Sequence, residues 1–193
     1  MQGLIWYESL NERDYMYLLE IDPDVVSYSS QPLKISYTLN NQLRRYTPDF
    51  LVQRLSLQQI VEIKPEKRLN HDQNLQLFQA ITNLGQSQGW EFIVITDKMI
   101  KQEPLLSNVK LLYRYVQIPL TLQNLIVCHQ YFTNQHPIPL LMAQKHLQPQ
   151  GISQAMLLKL IFLGFLETDL KNQLISQGEI SLSSRDLCGE ILK

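Results

Sequence analysis

The chain has 193 residues, 45% of them hydrophobic and 18% charged, with a formal net charge of −1. That is enough apolar material for a buried core, in one large domain or two small ones. A near-neutral balance argues against a free-standing, tight nucleic-acid binder, but not against an enzyme that partners deliver to DNA.

In chain order, Ser9-Leu10-Asn11-Glu12 reads as a capping box, and Tyr15, Leu18 and Leu19 follow at helical spacing. Pro23, between Asp22 and Asp24, ends this helix in a turn. Leu33, Ile35, Tyr37 and Leu39 alternate with Lys34, Ser36 and Thr38, the period of a half-buried strand, and Asn40-Asn41 makes the turn. The return strand is expected from about Leu43 to Val52 and carries Asp49. Pro48 inside it predicts an edge, a bulge or a bend, because proline has no N–H for the ladder. A third strand, Gln59 to Lys64, carries Glu62 and stops at Pro65.

A second helix is expected from Asp72 to about Gln88, with Leu75, Phe78, Ile81 and Leu84 on one face and Gly89 closing it. Phe92 to Ile95 is the apolar run of a buried strand. Strand, helix, strand forms a crossover, so this last strand should lie parallel to the one carrying Glu62. The expectation for residues 1–103 is thus an α/β domain with a mixed sheet flanked by helices.

Residues 104–117 read as a linker. Beyond it come helices from Leu122 to Phe132, after Pro137 and Pro139, and from Gln154 to Leu163 behind a capping Ser153. A small hairpin follows, formed by Phe165-Leu166-Glu167 and Leu174 to Leu182. Three helices and a hairpin give the winged-helix order over 118–182, with a tail at 183–193. Its third helix holds one cation, Lys159, among Met156, Leu157, Leu158, Leu160 and Ile161; from residue 121 onward five cations face five acids. DNA contact normally needs a basic face, so this domain reads first as a protein-docking module.

Cys128 and Cys188 lie far apart with no CxxC, which fits free thiols in a reducing compartment. Met1 to Ile5 does not resemble a signal peptide, and no apolar run approaches the roughly 20 residues of a membrane helix. The expectation is an intracellular, cytoplasmic protein. The four histidines, at 71, 129, 136 and 146, show no ligand spacing, and no glycine-rich phosphate loop is present.

The chemistry-bearing set is Asp49, Glu62 and Lys64. Side chains two apart on a strand share a face, so Glu62 and Lys64 point the same way, and Asp49 sits on the neighbouring strand. Two carboxylates, with the Ile63 carbonyl, suit Mg²⁺, for which Mn²⁺ can substitute; a lysine beside them suits a phosphodiester. Glu12 is a further candidate ligand, since it lies on the core-facing side of the first helix, although a capping box alone accounts for it. Arg44, Arg45, Lys67, Arg68 and Lys98 are candidate DNA contacts, and Tyr46 is a candidate to pack on a sugar or base. For all of these but Lys98 a solvated rim is at least as good an account, and for Lys98, which follows Thr96-Asp97 at a strand end, the alternative is a turn residue.

The Pro48-Asp49 and Glu62-Ile63-Lys64 spacing resembles the PD-(D/E)xK nuclease pattern. More specifically, Glu8-Ser9-Leu10-Asn11-Glu12-Arg13-Asp14, Leu18-Leu19-Glu20, Asp22-Pro23-Asp24-Val25, Tyr28, Gln31-Pro32, Arg45-Tyr46-Thr47-Pro48-Asp49-Phe50, Val61-Glu62-Ile63-Lys64-Pro65 and Thr96 together resemble the TnsA family of transposon-end endonucleases. The resemblance runs in one order over about residues 8–98. It implies a bacterial, Mg²⁺-dependent subunit that cuts the 5′ strands at transposon ends. A TnsB recombinase would handle the 3′ ends, and a C-terminal winged helix would dock on the AAA+ regulator TnsC. By position it implies Asp49, Glu62 and the helix-borne Glu12 as metal ligands and Lys64 as the catalytic lysine. Two other readings compete: a stand-alone restriction or repair endonuclease of the same superfamily, and a catalytically inactive adaptor.

Overall fold

Ser9 starts the first element. Its Oγ accepts the Glu12 amide at 3.2 Å, satisfying one of the free N–H groups that open α1 (Leu10–Ile21). The computed structural model describes residues 6–184; Met1 to Ile5, Cys188 and the expected tail from residue 185 lie outside the described residues.

After α1 the chain forms β1 (Val25–Ser30), β2 (Ile35–Leu39), β3 (Gln42–Tyr46), β4 (Phe50–Arg54) and β5 (Gln58–Lys64). Then come α2 (Asp72–Gln88), β6 (Glu91–Thr96) and the single turn α3 (Asp97–Ile100). Four strands make one mixed sheet in the order β1-β4-β5-β6. The pairs β1/β4 and β4/β5 are antiparallel, while β5/β6 is parallel with Glu62 opposite Val94. The crossover through α2 therefore has the expected sense. Gly89, at φ 78°, closes α2 in the left-handed conformation that glycine adopts without strain.

Two strand expectations need correction. The return strand expected from Leu43 to Val52 is two strands. β3 pairs only with β2, in a separate two-stranded ribbon, whereas β4 joins the main sheet. The break falls at Thr47-Pro48-Asp49, where Pro48 is buried and has no N–H to continue a ladder. The second correction is β1, a strand the sequence reading does not assign. Of its six residues only Tyr28 is buried, so an edge strand with mostly wet side chains carries little period-2 signal. Tyr28 earns its place by packing edge-on against Phe50 and donating its O–H to Glu20 at 2.6 Å.

The main sheet buries both faces. Tyr15, Leu19, Tyr28, Phe50, Val52, Val61, Ile63 and Ile100 form one core, with α1 on it. Ile35, Tyr46, Ile60 and Ile81 form the other, with α2 and the base of the ribbon on it. Alternation along β5 sends Val61 and Ile63 to the first and Ile60 to the second; Glu62 shares the parity of Ile60.

The chain divides after Lys101 into two compact units. The segment expected as a linker is largely helical: α4 (Leu105–Tyr113) buries Leu106, Val109 and Leu112 and packs within the second unit. Those three residues have helical spacing, so the apolar period was present in the sequence. The rest of this unit comprises α5 (Leu122–Thr133), β7 (Ile138–Pro139), α6 (Leu140–Leu147), α7 (Gln154–Phe162), β8 (Leu166–Glu167) and β9 (Glu179–Leu182). The expected two-stranded hairpin gains a third strand: the order is β7-β9-β8, with both pairings antiparallel. Ser153 caps α7 as expected, its Oγ accepting from the Met156 amide. Lys159 does not face solvent as a free cation, because its ammonium donates to the Ile118 carbonyl at 2.7 Å. The Cys128 thiol is buried and pushed up to about 12, which makes it an inert packing group. Among the described residues no helix is long and apolar enough to cross a membrane.

One buried amide organises the second unit. Asn108 on α4 donates to the carbonyls of Leu170 and Gln173, at 2.9 and 2.8 Å, and accepts from the Ile175 amide at 3.0 Å. It thereby closes the loop between β8 and β9 from inside. Replacing Asn108 by Ala strands three backbone groups, at about 1–3 kcal/mol for a group left unsatisfied. Asn108→Ala is therefore expected to lose about 3 kcal/mol in urea unfolding, while an exposed control such as Lys171→Ala is expected to be neutral.

Candidate active site

The break at Pro48 positions Asp49. Released from the ribbon and not yet in β4, Asp49 turns its Oδ2 onto the Ile63 amide of β5 at 2.6 Å, and its own carbonyl accepts from Gln31 at 2.9 Å. Asp49 is thus held by main-chain contacts at both ends. Burial pushes its carboxyl up to about 7, with Glu62 and then Glu12 adding to the rise; the Ile63 N–H and Lys64 pull the other way.

Glu62 sits in the middle of β5 and is 3% exposed. A charged carboxylate at that depth needs partners for both oxygens. Oε1 is taken by the Lys64 ammonium and Oε2 by the Tyr46 hydroxyl, which donates to it. Tyr46 is itself buried and packs edge-on against Phe92 on β6. Its phenol is pushed well above the usual range, first by burial and then by Glu62, so it stays a neutral donor. This corrects the expectation that Tyr46 packs on a sugar or base. Its ring lies in the core, and its role is to orient Glu62. The sequence signal was available in principle, since Tyr46 continues the parity of the inward-facing ribbon residues.

Glu12 reaches the same neighbourhood from α1, because it adds to the rise at Asp49. Its carboxylate, however, folds back on the helix start: Oε1 accepts from Ser9 Oγ at 2.7 Å and Oε2 from the Glu8 amide at 2.8 Å. Both oxygens are thus engaged at the helix start, but by the Ser9 hydroxyl and the Glu8 amide and not by the Ser9 amide that a full capping box would use. Among the described residues no three His, Cys, Asp or Glu side chains are grouped so as to hold a metal ion. The acids that converge as a pair are Asp49 and Glu62.

That pair fits a divalent cation in its donor chemistry. Carboxylate oxygens from Asp49 and Glu62, with the Ile63 carbonyl, are hard ligands of the kind Mg²⁺ and Mn²⁺ accept. The raised Asp49 reports poor solvation first and then the like charge of Glu62, with Lys64 pulling the other way.

The outlying candidates are dispersed. Lys67 and Arg68 lie exposed in the short helical turn Glu66–Arg68, directly after Pro65. Lys98 reaches Glu66 at 3.5 Å with its side chain 78% exposed, a contact worth little in water. Arg44 and Arg45 lie exposed on β3.

With the geometry in view, the comparison with known families is specific. Residues 22–97 match the family model described as "TnsA-like endonuclease N terminal", which supports a nuclease of the TnsA type. The matched stretch, less than half of the chain, contains Tyr46, Asp49, Glu62, Ile63 and Lys64 but neither Glu12 nor the second unit. No curated protein matches the chain.

The Asp49 carboxyl titrates at about 7 when folded against an ordinary 3.8, so its contribution to stability is fully present below about pH 4 and is lost as pH rises through 7. Asp49→Asn keeps a neutral side chain at all pH values. Without added metal, the variant is expected to be more stable than wild type at pH 8 by about 1 kcal/mol, a figure reduced for solvent screening, with the gap closing by pH 5. Urea unfolding at the two pH values measures this; a wild type more stable at pH 8 would refute it.

Proposed function

We propose that the chain is a Mg²⁺-dependent DNA endonuclease that cuts the 5′, non-transferred strands at transposon ends during cut-and-paste transposition. The observation that carries the reading is the half-buried Asp49 beside the buried Glu62, with Lys64 on Glu62, inside the stretch that matches the TnsA-like endonuclease domain.

Asp49, Glu62 and the Ile63 carbonyl would hold the metal ion. When bound, it supplies Lewis-acid charge to the phosphate and a more acidic water. Lys64, an ammonium in contact with Glu62, orients the attacking water and offsets charge growing on the phosphoryl oxygens. Tyr46, donating to Oε2, holds Glu62 aimed. A new O–P bond forms from water and the P–O3′ bond breaks, leaving a 5′-phosphate and a 3′-hydroxyl. Glu12 joins the ligands only if its carboxylate leaves Ser9 and the Glu8 amide.

The second unit carries the partner reading. Its α7 is turned inward through Leu157, Leu158, Leu160, Ile161 and Phe162, and its single lysine is spent on a backbone carbonyl. A helix so occupied makes a poor DNA reader. The unit, in the helix and strand order of a winged helix, is assigned to docking on a TnsC-type AAA+ regulator, with a TnsB-type recombinase cutting the other strands.

The test is reconstituted excision with the partner recombinase, scored for 5′-strand breaks. Lys64→Ala is expected to lower the rate of those breaks by about 100-fold or more while the recombinase cuts continue. A Lys64→Ala chain that cuts as well as wild type would overturn the mechanism and favour an adaptor.

A further inference from the structure

The β2/β3 ribbon is an unusual surface on this chain. Residues 25–48 contain Lys34, Arg44 and Arg45 and no Asp or Glu, in a protein whose net charge is −1. All three cations are exposed, and among the described residues none is in an ion pair. The ribbon does not belong to the main sheet. Its base is fixed by Ile35 and Tyr46, buried with Ile60 and Ile81. Its tip is a two-residue turn with Asn40 and Asn41 both at positive φ, 52° and 58°, the conformation that matches the twist of a tight hairpin.

The register sorts the side chains. Ile35 faces Tyr46 and Tyr37 faces Arg44 on the side turned to the core; Ser36 faces Arg45 and Thr38 faces Leu43 on the other. Lys34 continues the parity of Ser36 and Thr38. The outer face therefore presents Lys34, Arg45 and two hydroxyls, with no acid, and Leu43 stands 75% exposed beside them. Cations and hydroxyls are the side chains that contact phosphate oxygens. Arg45 precedes Asp49 by four residues, which bounds their separation to at most about 14 Å.

We propose that the outer face of the β2/β3 ribbon is the surface that seats duplex DNA beside Asp49 and Glu62, through phosphate contacts from Lys34 and Arg45. The inference rests on the nuclease reading for its substrate but not for its measurement. Duplex is the favoured partner because single-strand grooves rely on aromatic platforms, and the tyrosines of this ribbon point to its inner face. A two-stranded ribbon is also of a size that the major groove, about 12 Å wide, accepts. With only phosphate contacts the binding does not depend on sequence.

The test measures binding of the full chain to a random-sequence duplex in EDTA, across a salt series starting near 50 mM. Lys34→Ala combined with Arg45→Ala is expected to weaken binding about tenfold or more. It should also flatten the slope of log K against log salt by about 2, close to one unit per phosphate contact. Thermal unfolding should not change, since both side chains are exposed. Lys145→Ala combined with Lys171→Ala removes the same charge from exposed sites in the second unit. A loss no larger than in that control, a loss confined to single strands, or a wild type that ignores duplex at low salt would each overturn the proposal. Ribbon variants that bind DNA normally while Lys64-dependent cutting persists would sink the ribbon alone; ribbon-dependent binding by a chain that never cuts would sink the nuclease reading alone.

Discussion

Burial of like charges is the constraint around which the first unit is arranged. Asp49 and Glu62 are drawn together by the backbone, not by any attraction between them: Asp49 is fixed to the Ile63 amide, and Glu62 is built into the centre of β5. Each therefore needs compensation. Glu62 receives it in full from Lys64 and Tyr46, whereas Asp49 has one amide and stays easy to neutralise. A proton does this in the isolated chain, and a divalent cation competes for the same oxygens. The surrounding elements serve that arrangement. Pro48 breaks the strand so that Asp49 can turn, the ribbon ends in Tyr46, and the crossover through α2 sets Phe92 edge-on against the Tyr46 ring.

Much of this frame was legible in the sequence because it is written in strong periods and caps. The N-cap at Ser9, the alternation from Ile35 to Leu39, the Gly89 stop and the parallel crossover all follow from local rules. What escaped was set by tertiary packing. β1 is an edge strand paired to β4 whose one buried side chain is Tyr28, and its other residues look like loop. Pro48 predicts a bend, but nothing local says that the two halves of the strand join different sheets. Tyr46 differs from expectation for the same reason: a tyrosine beside two arginines resembles a DNA contact, and only the buried Glu62 that needs a donor gives it its place. Glu12 shows the limit from the other side, since the plain reading as a capping residue describes both of its oxygens.

The second unit illustrates how a polar residue can define a boundary. Sequence texture placed a linker over 104–117, but Asn108 anchors that segment by three hydrogen bonds to the loop between β8 and β9. An asparagine in a helix interior is a weak signal by propensity and becomes informative only when its partners are known. The inward-turned α7 follows from its apolar composition, which left Lys159 as a tether to Ile118 instead of a contact for phosphate.

The claim on which the account turns is that Asp49 and Glu62 share a divalent cation. Crystals grown with Mn²⁺ and measured at the manganese absorption edge test it most directly. The account predicts an anomalous peak within coordination distance of both carboxylates and of the Ile63 carbonyl, absent from Asp49→Asn crystals. Ordered Asp49 and Glu62 side chains with no peak between them, at saturating Mn²⁺, would contradict it.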